Sequence, residues 1–530
     1  MNRLRLLSGG VAAALALSVT GCGGSSDASS TQQPDNVVVA VGALPDSLTP
    51  APWGGSASHV VLSGLGSQLL QYKTTATASD PCGQPTTEVS GRLAESATPA
   101  PDGKGVIVKL RKLTSQFGHT LSAEDVRWSL QIGMQRQPVM KGTLSSSGFD
   151  VNNLVKVIDD STVELNSTSL TSFSVESLQN NLFYIHDSVE AKKHVTPDDP
   201  TANNWLSKNL ADYSGWDLEE FTPGTSLTVT ADPKWEGQRG AVKRVVVKAV
   251  PNTSTRSQLV QTGEAQVANG FEYDQYASLG DSPNVSVLNC PSATRDTLMF
   301  STKSGPLADV RVRHAISEAI DRAALVKGAY AGYGKAAQAT FPGGDPSSFY
   351  SFNLDDAKKL MADAGYANGF KLDLSYSATR PGPVAAKSAV LIQSMLKQIG
   401  IDVQLQNVAS STDFSSALIQ GRFQAVLYSE PIVIADPAFY SYAYYAGDAP
   451  SNTTGWKDAK FDQLRTQLAA TPQDKTAQRN DLIKQMTAVV DAGAPILSLV
   501  ETRGIIATKK GLTGATPLSN GQIYFNALGS

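Results

Sequence analysis

Residues 371–405 hold the pattern that most restricts the fold. Residues 371–376 (KLDLSY) read as a strand, 384–399 as a long helix, Gly400 as its stop, and 401–405 (IDVQL) as a second strand. Strand, helix and strand in that order argue for a βαβ unit, because parallel neighbours need a crossover that a tight hairpin cannot supply. Such a unit implies a sheet covered by helices, so the expected class is α/β. The remaining elements agree with it. Strands are expected at 37–41, 69–72, 106–110, 226–230 and 244–250. Residues 155–159 and 162–165 flank Asp160-Ser161 as a hairpin. Helices are expected at 122–134, 309–327, 355–364, 461–469 and 474–490. The first opens on Ser122-Ala-Glu-Asp125, a capping-box pattern with acids in its first turn. A chain of 530 residues exceeds what one apolar core serves, roughly 250–300 residues, so two or more lobes follow.

Composition and motifs exclude several chemistries. Lys+Arg number 44 against 48 Asp+Glu, a formal charge of −4, whereas a nucleic-acid binder shows a basic excess or stripe. The five histidines (His59, His119, His186, His194, His314) fall into no metal-binding spacing, so neither a metal nor a cofactor is expected. No G-x-S-x-G elbow is present. Ser394-Met-Leu-Lys397 fits S-x-x-K, but it lies mid-helix and lacks a Lys-Thr-Gly partner. With no Walker loop and no G-x-G-x-x-G, any ATPase must be a separate protein, and this chain is read as a non-enzyme.

The N-terminus is an address. Arg3 and Arg5 precede a short apolar run at 11–19, too short to span a bilayer, which needs about 20 apolar residues. Val19-Thr20-Gly21-Cys22 resembles the lipobox of bacterial lipoproteins, which implies lipidation of Cys22 and removal of residues 1–21. Residues 22–36, rich in Gly, Ser, Asp and Gln, read as a flexible tether. Without Arg3 and Arg5 the chain carries 42 basic and 48 acidic residues, a formal charge of −6. The expected place is the extracytoplasmic face of the cell membrane, with lipid as the only membrane contact. That compartment permits disulfides. Cys82 and Cys290 form a candidate pair, with two buried free thiols as the alternative.

Seven segments then resemble one family in its own order. They are LPDSLTP (44–50), RLAES (92–96), VIVKLRKLTSQFGHTLSAEDV (106–126), ADPKWEG (231–237), LVQTGEAQV (259–267), DVRVRHAISEAIDR (309–322) and residues 355–370. Together they resemble the bacterial extracellular solute-binding proteins of family 5, the receptors of peptide and nickel ABC importers. The residues have a reading of their own as well. Arg313 and Arg322 share a predicted helix with Glu318 and Asp321, so local ion pairs are expected.

The resemblance implies a periplasmic-binding-protein-like fold: two α/β lobes, the first subdivided, joined by a hinge, with ligand in the cleft. Lobe 1 is then 37–291, with an inserted subdomain at about 70–205. Lobe 2 is 292–498, and 499–530 return to lobe 1. The implied ligand contacts are Trp53, Gly54 and Gly55 in one loop, and Tyr428, Glu430, Asp436, Phe439 and Tyr442 in another. Peptide-binding members place an ammonium-pairing Asp four residues before the Pro of this second loop, a position that holds Val433 here. Their carboxylate-pairing Arg falls on Leu427. Glu430 is the candidate replacement acid. The implied function is capture of a peptide or peptide-like solute by a monomeric, lipid-anchored receptor that delivers it to an ABC permease. A glycoside or metal chelate as solute, or a non-transporting regulatory or scaffolding homologue, are the alternatives.

Overall fold

The computed structural model describes residues 33–530 apart from 50–55, 74, 78–79, 84–87, 342–343, 379–381, 383, 431–433, 450–451 and 518–522. Residues 1–21, Cys22 and the loop holding Trp53, Gly54 and Gly55 therefore lie outside the described residues. Among the described residues no helix is long and apolar enough to cross a membrane.

An eleven-stranded sheet organises the chain. Its strands in chain order are β1 (Asn36–Val41), β2 (Trp216–Thr222), β3 (Ser226–Ala231), β4 (Arg244–Ala249), β5 (Val267–Ala268), β6 (Val285–Phe300), β7 (Lys335–Ala336), β8 (Phe370–Tyr376), β9 (Ile401–Asn407), β10 (Ala425–Glu430) and β11 (Ile496–Lys509). The spatial order is β9-β8-β10-β6-β11-β5-β1-β4-β3-β2, with β7 beside β11. The βαβ unit stands as read: β8 and β9 are parallel, with Leu372 opposite Val403. The helix Val384–Lys397 between them buries Ala385, Ala389, Ile392 and Leu396. Gly400, at φ 82°, turns the chain out of that helix, a conformation that costs glycine little.

A second, four-stranded antiparallel sheet takes the order Ala94–Pro99, Gly105–Leu110, Thr162–Asn166, Val155–Asp159. Its last two strands are the expected hairpin around Asp160-Ser161. The helix Ala123–Arg136 packs beside it, and Asp125 accepts the Ser122 amide at 2.8 Å as the capping pattern requires.

Apolar side chains collect in separate cores. One gathers Val37, Val39, Val245 and Val247 with Phe525 and Leu528 from the C-terminal segment. A second, drawn from Leu69 to Tyr213, belongs to the small sheet. A third and a fourth lie within the second half, one around Ile316, Leu374 and Ile392, the other around Tyr440, Phe461 and Met486. Phe173 joins the fourth core, although the chain around it otherwise belongs to the second.

Strands β6 and β11 run through the middle of the large sheet. Their upper halves pair in register from Val285–Lys509 to Pro291–Arg503, and their lower halves pair from Arg295–Glu501 to Met299–Ile496 with a smaller shift between Asp296 and Thr297. The register shifts between Pro291 and Arg295, so the ladder is interrupted there and the strand bends. Thr502 Oγ1 bonds the Thr294 carbonyl at 3.0 Å across the gap. The structure also joins Cys82 to Cys290, one residue before the interruption, with their Cα atoms 5.0 Å apart.

Two sequence expectations are corrected. The helix expected over 309–327 is two, Val310–Ala319 and Arg322–Ala329. Ile320 is extended and wholly buried, and Asp321 caps the second helix by accepting the Ala324 amide at 2.9 Å. Arg313 and Arg322 are not in local ion pairs. Both are buried, and both donate to carbonyl oxygens: Arg313 to Leu307 and Gly493 at 2.6 Å each, Arg322 to Ser498 at 2.9 Å and Ser317 at 3.0 Å. The two guanidiniums tie the helix Val310–Ala319 and its neighbours to the backbone around the start of β11, and burial lowers the pKa of both.

Candidate functional site

The second cleft loop leaves the end of β10. Strand pairing sets Glu430 opposite Arg295 of β6, so the alternation of the sheet puts both side chains on one face. Arg295 is buried and donates to the carbonyls of Ala339 at 2.8 Å and Thr340 at 2.7 Å, and to Glu501 at 3.1 Å. Glu430 is wholly buried; Tyr440 donates its hydroxyl to Oε2, while Oε1 has no partner. Burial pushes this carboxyl up to about 8, against the lowering effects of Tyr440 and Arg295. On the other face, Asp296 takes the Tyr330 hydroxyl at 2.6 Å and has one oxygen unpartnered. Burial raises it to about 7.

Beyond residues 431–433, the chain enters the helix Pro437–Tyr445. Asp436 is its cap, accepting the Ala438 amide at 2.7 Å. The same carboxylate holds Arg479 by two bonds of 2.7 and 2.8 Å, and takes Ser172 Oγ at 3.1 Å and Gln473 at 3.3 Å. Both oxygens are in use and the residue is 2% exposed, so Asp436 serves the scaffold here. Phe439 is buried edge-on to Phe173, their ring centres 5.6 Å apart. Tyr442 is half-buried beneath the Arg465 guanidinium, 5.4 Å from its ring centre. Tyr428 is buried in the same aromatic core. The structure thus brings Tyr428, Glu430, Asp436, Phe439 and Tyr442 into one region, most of them packed inward. Val433 and the Trp53, Gly54, Gly55 loop fall outside the described residues. Leu427, at the position of the family's Arg, is 1% exposed within β10.

Sequence reasoning missed the residues that meet this loop from elsewhere. Glu176 lies in the short helix Ser174–Ser177, and its Oε1 accepts the Ala435 amide at 2.7 Å and the Tyr72 hydroxyl at 2.9 Å. Tyr72 OH also accepts from the Ala435 amide at 3.1 Å. Glu176 Oε2 has no partner. Burial above all, and then the neighbouring Asp436 carboxylate, push Glu176 up to about 8. One signal was available: between Glu164 and Asp187, Glu176 is the sole Asp, Glu, Lys or Arg. A lone charge in an uncharged stretch that folds into a core is held there for a reason.

These carboxyl groups can accept hydrogen bonds or neutralise a cation; among the described residues, none near them forms a nucleophile–base pair. Among the described residues, no group of three or more His, Cys, Asp or Glu could hold a metal ion.

Comparison with known proteins decides the family. The profile described as bacterial extracellular solute-binding proteins, family 5 middle, matches residues 88–452. The chain belongs to that family. This family 5 member is 25% identical over 472 residues to a probable D,D-dipeptide-binding periplasmic protein of Escherichia coli, covering 87% of each chain. It is 24% identical to the heme-binding protein A of Haemophilus influenzae, covering 79% of this chain and 80% of that one. Among solved structures it resembles in fold a periplasmic binding protein of Helicobacter pylori in complex with the peptide STSA. That match has a TM-score of 0.78 at 22% identity, over 94% of this chain and 98% of the other. The α/β class and the periplasmic-binding fold expected from sequence are therefore the observed ones, and the relatives are binding proteins rather than enzymes.

Proposed function

We propose that this family 5 member is a lipid-anchored extracytoplasmic receptor. It captures a peptide or peptide-like solute between two α/β lobes and delivers it to an ABC permease. The observation that carries the reading is the shared interruption of β6 and β11 at Pro291–Arg295 and Glu501–Arg503. Two strands that cross together and lose register together form a hinge, and closure about it is how such folds hold ligands. The lobes are then 37–291, with the inserted body near 70–205, and 292–498, with 499–530 returning to the first. Cys22 carries the lipid, and the receptor works as a monomer.

The solute lies against the loop of Trp53, Gly54 and Gly55 and the segment carrying Tyr428 and Glu430. Asp436, Phe439 and Tyr442 hold that segment from behind. A peptide is favoured by the relatives named for peptide ligands. A non-peptide solute is the second reading, favoured by Leu427, which is buried where a carboxylate clamp would stand, and by the heme-binding relative.

Natively purified full-length protein should carry a small solute that mass spectrometry identifies. Titration calorimetry with STSA, D-alanyl-D-alanine and heme then separates the readings. No co-purifying solute, and no thermal shift with any of the three or with a peptide library, would overturn solute capture.

A further inference from the structure

The segment Ser172–Glu176 reaches out of the small-sheet body and docks on the second half of the chain. Ser172 donates its amide to the Ala469 carbonyl at 2.7 Å and its hydroxyl to Asp436 at 3.1 Å. Phe173 is 1% exposed and sits in the aromatic core of the other body, against Phe439. Glu176 accepts the Ala435 amide. Backbone, aromatic and carboxyl contacts thus join this segment to the start of the helix Pro437–Tyr445 and to Ala469, between residues more than 250 positions apart in sequence.

One member of this set is electrostatically misplaced. Glu176 is buried beside Asp436, whose charge is matched by Arg479 and not by any group that reaches Glu176. The other titratable neighbour is Tyr72, a hydroxyl donor, with Tyr524 behind it under the Arg92 guanidinium. Glu176 Oε2 makes no hydrogen bond. A charged carboxylate without a counter-ion is costly to bury, and the cost falls away when the group takes a proton.

We propose that Ser172–Glu176 is a proton-gated latch: the two bodies close fully only when Glu176 has taken one proton from solvent, and opening returns it. This deepens the closure mechanism above and rests on it, but not on the identity of the solute. The sign follows from the raised carboxyl. In the open form Glu176 meets water and ionises near its ordinary value of 4.5; in the closed form it ionises near about 8. The closed form is therefore favoured as pH falls below about 8 and penalised as pH rises through it.

The test is hydrogen exchange of the full-length protein, without solute, read at the Ala435–Tyr440 peptide and corrected for the intrinsic rate at each pH. Protection there should drop about ten-fold between about pH 7 and about pH 9 in the wild type. In Glu176→Gln, which keeps an acceptor for Ala435 but cannot ionise, it should stay constant. Calorimetry with STSA at the same two pH values gives a separate readout. Constant protection in the wild type, or the same drop in Glu176→Gln, overturns the latch. The wild-type series alone is sufficient to do so if the variant fails to fold. Loss of STSA binding with a titrating latch counts against the peptide reading and leaves the latch standing.

Discussion

Asp436 shows how a residue chosen as a ligand contact can be fully occupied by structure. It caps a helix, binds Arg479 through both oxygens and is sealed from solvent. Removing one partner of a buried ion pair strands the other charge, so Arg479→Met should destabilise the protein by about 3–5 kcal/mol in urea titration. Glu430 behaves differently, because one oxygen is unpaired and burial raises its carboxyl to about 8. An acid raised on folding adds no penalty below its ordinary value of 4.5 and weakens the fold progressively as pH rises from there to its folded value of about 8. The melting temperature should therefore fall between about pH 5 and about pH 8 and then level off, and Glu430→Gln should flatten that fall. The Ser122–Asp125 cap was readable because both partners lie within one turn. Glu176 was not, because what makes it unusual is a neighbour 260 positions away.

At the scale of elements, local signals worked where the partner is adjacent in sequence. The βαβ unit was legible from its strand–helix–strand order and from Gly400. Its closing contact was not. Gly369, at φ 73°, lies so close to Gly400 that a Cβ added to it would stand 1.8 Å from the Gly400 carbonyl oxygen. Gly369→Ala must push apart the starts of two parallel strands, whereas Gly400→Ala meets mainly the left-handed strain of about 1–2 kcal/mol. Denaturant midpoints should rank Gly369→Ala below Gly400→Ala. The helix expected over 309–327 broke at Ile320-Asp321 because a capping Asp and a buried Ile outweighed helical periodicity. Asp321→Ala should cost about 1 kcal/mol by the same measurement.

At the scale of the whole molecule, the disulfide and the crossing strands set the frame. Cys82–Cys290 closes 208 residues of chain, worth about 5 kcal/mol in the chain-entropy account. The Cys82→Ser, Cys290→Ser double variant should lose up to that stability on denaturation and retain solute binding, since the bond joins the part of β6 before the interruption and not the 428–445 segment. The sequence by itself determined the α/β class, the parallel unit, the capped helix after Ser122 and the family, because each of these rests on neighbours in the chain or on motifs in a fixed order. Only the tertiary structure decided that the β6–β11 ladder is interrupted between Pro291 and Arg295 and that Arg313 and Arg322 fasten backbone rather than pair with acids. It alone brought Glu176 and Asp436 together. Those facts depend on burial and on contacts between distant segments, where removal of water turns an ordinary carboxyl or guanidinium into a group that must find a partner or give up its charge.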